Sequence, residues 1–377
     1  MKVVIAPDSF KGSLSAQAVA GAMAEGVRKV SPCAAVELVP IADGGEGTVD
    51  CLLAAIGGEK VEVQVHDPLG RPVLAHYGIL KHGTVVLEVA VAAGLGLISD
   101  GERDVLHANT AGVGELIAHA LDAGRTSFVI GLGGSATNDA GIGMLHALGA
   151  RFYDVEGREL PPTPEACLRL AHIDTKGMHP KLNDATIRVA CDVSNPLCGP
   201  LGATAVYGPQ KGVTPDLLPI LDKALEQFAM VVQRDLDFPI LDFPGSGAAG
   251  GLGGAFGGVM KAELVQGIDL ILQECAFDTT LVDADFVLTG EGKTDSQTVH
   301  GKAVQGVAMR AKLQGIPVFC VSGAVAEGTN ELYECGVTAL FSITPGPVSL
   351  VESMNSTYEY LVRSVENITR VYLAGRH

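Results

Sequence analysis

An α/β fold of two domains is predicted for this chain by three observations. Four times a short β-rich apolar stretch runs into glycine, small polar residues and a carboxylate, and each time a helical pattern follows: VVIAPDSFKGS (residues 3–13), LVPIADGGEGT (38–48), FVIGLGGSATNDAG (128–141) and FVLTGEGKTD (286–295). Each reads as the carboxyl end of a parallel strand turning into a helix, where open α/β sheets bind ligands. The length, 377 residues, exceeds the size at which one hydrophobic core stops growing. Near residue 60 the pattern switches to apolar/polar alternation, the mark of antiparallel hairpins.

The elements follow in order. After the first loop, Leu14, Val19, Met23, Val27 and Val30 fall at helical spacing, with Ser13 or Ser15 available as cap. A strand is expected near residues 36–41, and a second helix from Glu46 to the Gly57-Gly58 pair. The alternating stretch from residue 61, broken by Asp67-Pro68-Leu69-Gly70 and His82-Gly83, opens an inserted domain. Helix (113–123), strand (127–130) and helix (141–148) then restore the α/β rhythm, and loop signals dominate residues 161–180. A strand at 186–191, a helix around 217–232 and a glycine-rich run come next. The tail reads as strand, TGEGKTD, helix (302–314), strands at 318–322 and 339–343, and a terminal helix (354–372). Because it resembles the opening in kind, both ends are expected to share one parallel sheet. The boundaries are residues 1–60 plus about 280–377 for the parallel domain and about 61–279 for the mixed α/β insertion.

A hydrophobic share of 47% against 18% charged residues marks a globular chain. A formal charge of −17 without a Lys/Arg run argues against nucleic acid, so any phosphate site must be local. The eight cysteines lack CxxC spacing and read as reduced core residues of a cytoplasmic protein. The uncharged segment 243–260 has about the length of a membrane span, but eight glycines fall between Gly245 and Gly258, so a loop and no membrane association are expected.

Familiar motifs fail. Gly292-Lys293-Thr294 ends like a P-loop, but the first glycine would stand at Val287. Gly245 to Gly250 matches G-x-G-x-x-G, yet Pro239 and Pro244 oppose the strand that fingerprint needs. HExxH and G-x-S-x-G are absent, which disfavours zinc and serine hydrolase chemistry. What remains is carboxylates beside glycine. Asp43 and Glu46 flank Gly44 and Gly45 at a helix start, where they could hold Mg²⁺, orient a hydroxyl, or simply cap. Asp8 with Ser9 and Lys11, and Asn138 with Asp139 after Gly133-Gly134-Ser135, share that ambiguity. Glu291 and Asp295 flank Lys293, an arrangement suited to phosphate plus metal or to a local ion pair. Asp192 and Asn195 follow a strand and could be turn formers before Pro196.

Six blocks in order, APDSFKGSLSA (6–16), ADGGEGT (42–48), GLGGSATNDAG (131–141), CDVSNPLCGPLGA (191–203), GAAGGLGGA (247–255) and TGEGKTDSQTVHGK (289–302), resemble the type I glycerate kinase family. The resemblance covers nearly the whole chain. It implies a parallel Rossmann/flavodoxin-like sheet with a second mixed α/β domain inserted in it, and an active site in the cleft between the domains. It implies transfer of the γ-phosphoryl group of ATP to D-glycerate, at the C2 hydroxyl, in organic-acid catabolism. On that basis Gly133, Gly134 and Ser135 with Gly250, Gly251 and Gly253 would hold phosphate oxygens, and Glu291 and Asp295 would anchor Mg²⁺. Lys11 and Lys293 would meet the glycerate carboxylate and the transferring phosphate. Asp192 would take the hydroxyl proton, with Asp43 the alternative. A nucleotide-dependent oxidoreductase and a non-catalytic two-domain sensor are the rival readings; the oligomeric state, including a homo-oligomer, stays open.

Overall fold

The computed structural model describes residues 1–42, 44–299 and 302–375. The chain divides into two compact units. One comprises the opening of the chain, Asp50–Gly57 and everything from Ile268 onward; the other comprises Gly44–Val49 and Gly58–Gly267.

The first unit is built on five parallel strands in the order Val337–Ser342, Val318–Ser322, Phe286–Thr289, Lys2–Ile5, Ala35–Leu38. Counted within the unit this is the doubly wound order 2-1-3-4-5, whose direction reverses between Lys2–Ile5 and Phe286–Thr289. Val3, Val4, Ile5 and the whole of Phe286–Thr289 are buried, as central strands covered on both faces require. Helix Ala16–Val30 begins at Ser15, whose hydroxyl accepts from the Ala18 amide at 3.3 Å. Its buried Val19, Met23 and Val27 lie on one side, and it packs on helix Thr357–Ala374. Full burial of each such side chain contributes about 1.5–3 kcal/mol. The expected single terminal helix is two, Leu350–Asn355 and Thr357–Ala374. The first is capped by Ser349, which accepts from the Glu352 amide at 3.2 Å.

The second unit carries a six-stranded mixed sheet in the order Glu263–Val265, Thr186–Ala190, Ser127–Gly131, Val85–Glu88, Pro72–Leu80, Gly58–His66. The last two strands form the antiparallel hairpin that the alternation after residue 60 predicts, and the other four are mutually parallel. Phe128, Phe152, Phe228, Phe256 and Tyr77 anchor its core.

Three expectations need correction. Residues 243–260 are not simply a loop: Ala248–Gly254 is helical, with left-handed residues at Ala249, Gly250 and Gly251, and a π-helical turn, Ala255–Val259, follows. Burial of Leu252, Ala255 and Phe256 in the core overrides glycine's poor helix propensity. The stretch 161–180 contains helix Pro164–Cys167 and strand His172–Asp174, which pairs antiparallel with Arg151–Tyr153. All eight cysteines are free thiols, but Cys33 is exposed rather than in the core. Among the described residues no helix is long and apolar enough to cross a membrane.

Candidate active site

In the first unit, the loops that leave the two strands at the reversal point pack together. The Asp8 amide donates to the Gly290 carbonyl at 2.9 Å, continuing the ladder between Lys2–Ile5 and Phe286–Thr289 past the strand ends. A Cβ on Gly292 would lie 3.4 Å from the Lys11 nitrogen. Asp8, Ser9 and Lys11 thus stand beside Glu291, Lys293 and Asp295 at the carboxyl edge of one sheet. Asp8 Oδ1 accepts from the Ser9 amide at 2.6 Å, and Lys11 is exposed. Glu291 is largely withdrawn from water, and its Oε1 accepts from Thr298 Oγ1 at 2.7 Å and Thr294 Oγ1 at 3.1 Å. Burial pushes its carboxyl above the usual range, while these two hydroxyls and Lys302 oppose that rise. Asp295 is held below its usual range, first by the Gln297 amide and then by Lys293, whose Nζ lies 3.3 Å away. Lys293 itself is 63% exposed, so this pair is weak and open to exchange for a ligand anion.

In the second unit, the loop beginning at Gly44 runs over the carboxyl ends of the parallel strands. A Cβ on Gly131 would come within 2.1 Å of the Gly44 carbonyl oxygen, and one on Gly133 within 2.9 Å of the Gly45 Cα; only glycine permits this approach. Gly44 in turn sits against Ala190, two residues before Asp192. Gly44, Gly45, Glu46, Gly133, Gly134 and Asp192 are thereby gathered at one edge. Glu46, Gly133, Gly134 and Asp192 are exposed there. Asp192 Oδ1 accepts from the Gly267 amide at 2.7 Å, which fixes the carboxylate. Asp43, the alternative base, lies outside the described residues.

The helix-start amides that the sequence suggests as anion sites are partly filled by the protein itself. Glu88, at the end of strand Val85–Glu88, accepts from the amides of Val49 at 2.7 Å and Gly47 at 3.2 Å, at the start of helix Thr48–Ile56. Asp139 does the same for helix Ile142–Ala147: it accepts from the amides of Gly141 and Gly143 at 3.1 Å each. Thr110 adds two further bonds to Asp139, from its amide at 2.9 Å and its hydroxyl at 2.7 Å. Asp139 is fully buried; burial pushes its carboxyl up, and the four donors pull it back. Its geometry is that of a structural tie.

Ser135, Asn138 and the glycine-rich run form a buried knot behind that edge. Gly250 has φ +72°, and a Cβ there would meet the Thr137 carbonyl oxygen at 2.1 Å, while the Ala140 amide donates to the Gly250 carbonyl at 3.0 Å. Gly250, Gly251 and Gly253 are buried, and close packing of protein backbone accounts for them without a ligand. No strand precedes Gly245, so the dinucleotide fingerprint lacks its context. Asn195 braces its own loop, accepting from Tyr207 Oη at 2.7 Å and donating to the Leu201 carbonyl at 2.8 Å.

Sequence reasoning misses Lys211. It is 2% exposed, and its Nζ donates to Ser135 Oγ at 2.8 Å and to the Thr137 carbonyl at 2.7 Å. Burial lowers its pKa to about 7, with Asp139 acting in the opposite direction. Nothing in the run Gly208-Pro-Gln-Lys211-Gly marks it out.

A doubly wound sheet with lysine, carboxylates and glycine at its reversal point suits a ligand rich in phosphate. The whole chain superposes on a crystal structure from Salmonella typhimurium LT2, assigned as a glycerate kinase 2, with a TM-score of 0.91, 42% identity, and coverage of 100% of this chain and 99% of that one. The class is that of an ATP-using kinase, a transferase with a hydroxyl acceptor. The glycerate kinase family model matches residues 3–373. The glycerate kinase of Bacillus subtilis is 47% identical over 98% of this chain and 97% of its own length. The glycerate 2-kinase of Escherichia coli is 42% identical over 100% and 99% respectively. The chain belongs to the glycerate kinase family.

Proposed function

We propose that the chain transfers the γ-phosphoryl group of ATP to the C2 hydroxyl of D-glycerate, giving 2-phospho-D-glycerate. The observation that carries the choice of C2 is the end-to-end likeness to the Escherichia coli protein named glycerate 2-kinase. Phosphoryl transfer asks the protein to position the hydroxyl, neutralise phosphate charge and exclude water.

Roles follow from exposure and charge. Lys11 and Lys293, both exposed, bind the glycerate carboxylate and the transferring phosphate. Gly133 and Gly134 offer exposed backbone amides to phosphate oxygens, and this reading sets aside the buried Gly250, Gly251 and Gly253. Asp192, exposed and steadied by the Gly267 amide, accepts or orients the hydroxyl proton.

Glu291 and Asp295 are the residues that would hold Mg²⁺. Among the described residues no group of three or more His, Cys, Asp or Glu side chains is arranged around a metal position. Two hard carboxylates on one loop nevertheless fit an ion that takes most of its ligands from phosphate and water. The chemistry such an ion supplies is neutralisation of the phosphate oxygens.

An assay with ATP, D-glycerate and enolase tests the regiochemistry. Immediate phosphoenolpyruvate formation is expected; a requirement for added phosphoglycerate mutase would establish transfer to C3 instead.

A further inference from the structure

We infer that Lys211 is a positioning residue for ATP: its buried ammonium ties Ser135 to Thr137 and so holds the Gly133-Gly134 turn, with a positive charge behind it, in the shape that receives phosphate. This rests on the reading that Gly133 and Gly134 hold phosphate oxygens. The two bonds span the turn's carboxyl end, one to Ser135 Oγ and one to the Thr137 carbonyl. The turn's other side is fixed by the Leu95 amide, which donates to the Gly134 carbonyl at 2.9 Å, and by the Ala136 amide, which donates to the Ala93 carbonyl at 2.8 Å. Lys211 is presented by the short 3-10 turn Pro209–Lys211, which Gly212, at φ +99°, ends.

A purely structural buried lysine would ordinarily be fully paired. Among the described residues its three protons meet two acceptors, and three buried polar atoms in the adjoining segments, Thr137 Oγ1, Asn138 Oδ1 and Ser246 Oγ, have no hydrogen-bond partner. The charge that bears on Lys211 is that of Asp139, which favours its ammonium form; on the neighbouring segment the Cβ and carbonyl of Arg103 lie against Gly212. With burial bringing its titration to about 7, the ammonium is complete below that pH and is lost above it. ATP affinity should therefore fall as pH rises through neutrality.

The test compares Lys211→Met, Ser135→Ala and Gly134→Ala in steady-state kinetics from pH 6 to 9. The native enzyme should show a decline of kcat/KM for ATP around pH 7; in Lys211→Met, KM for ATP should rise about tenfold or more, KM for glycerate should change less than twofold, and that decline should be absent. If Lys211→Met does not fold, Ser135→Ala, which removes one of the two bonds, should raise KM for ATP severalfold with kcat retained. Gly134→Ala strains a residue at φ +74° and reports on the turn itself. If it raises KM for ATP while Lys211→Met and Ser135→Ala leave both KM and pH profile unchanged, the role of Lys211 is refuted and the phosphate turn stands. If none of the three alters KM for ATP, the phosphate turn is refuted, and the role of Lys211 with it.

Discussion

Replacing Asp139 with asparagine tests whether that carboxylate is a structural tie. Oδ2 accepts three bonds, from the Thr110 amide, the Thr110 hydroxyl and the Gly143 amide, and Oδ1 accepts one from the Gly141 amide. The Thr110 hydroxyl also accepts from the Met144 amide at 2.9 Å. Four donors therefore converge on a group at 0% exposure. In its better flip, an asparagine oxygen keeps the three bonds and its NH₂ faces the Gly141 amide. The orphaned donor costs about 1–3 kcal/mol, and loss of charge weakens each remaining bond by about 0.5–1 kcal/mol. Relief from burying a charge, the effect that raises the Asp139 pKa, offsets part of this. A net loss of about 2–4 kcal/mol is expected, which for a unit of this size lowers the midpoint by roughly 5–15 °C. Differential scanning calorimetry at pH 7 reads it. An Asp139→Asn transition within 1 °C of the native one would refute the tie and return Asp139 to the list of ligand groups.

Three further outcomes are expected. Asp192→Asn should reduce kcat by orders of magnitude and leave ATP affinity, measured by equilibrium titration, within about threefold; near-normal turnover would remove Asp192 from the proton-accepting role. Glu291→Gln should raise the Mg²⁺ concentration needed for half-maximal rate about tenfold or more, and an unchanged Mg²⁺ dependence would exclude Glu291 as a ligand. Gly131→Ala drives a methyl group into the Gly44 carbonyl oxygen, 2.1 Å from the ideal Cβ position. It should impair folding or displace the Gly44 loop enough to abolish activity, whereas a fully active, equally stable variant would contradict the packing described.

Where the physics is local, the sequence was readable. The strand-to-glycine transitions at residues 3–13, 128–141 and 286–295 lie where β-branched runs and turn chemistry place them, and the alternation after residue 60 forms the hairpin Gly58–His66 with Pro72–Leu80. What escaped is set by tertiary burial. The glycines from 247 onward lack helix propensity yet are helical in part, because Leu252 and Phe256 are drawn into the core. Lys211 looks like any turn lysine until its neighbours close over it. Glu88 reads as the polar end of an apolar strand, VVLE, and gives no sign that it caps a helix starting at Thr48. Which carboxylates of the acidic and glycine-rich loops face solvent could not be told from residue type.

The pairing of Val3 with Phe286 bears on how the protein is made. Lys2–Ile5 leaves the ribosome long before its partner on one side, which is synthesised only after the whole of Gly58–Gly267, a segment with its own core. The second unit has all but one short segment of its chain contiguous and is free to form early, whereas the first must keep the apolar strand Lys2–Ile5 and its edge neighbour Ala35–Leu38 waiting for Phe286–Thr289 and Val318–Ser322. Loop closure over that span makes its sheet the slow step of folding and its waiting edge the exposure to aggregation during synthesis.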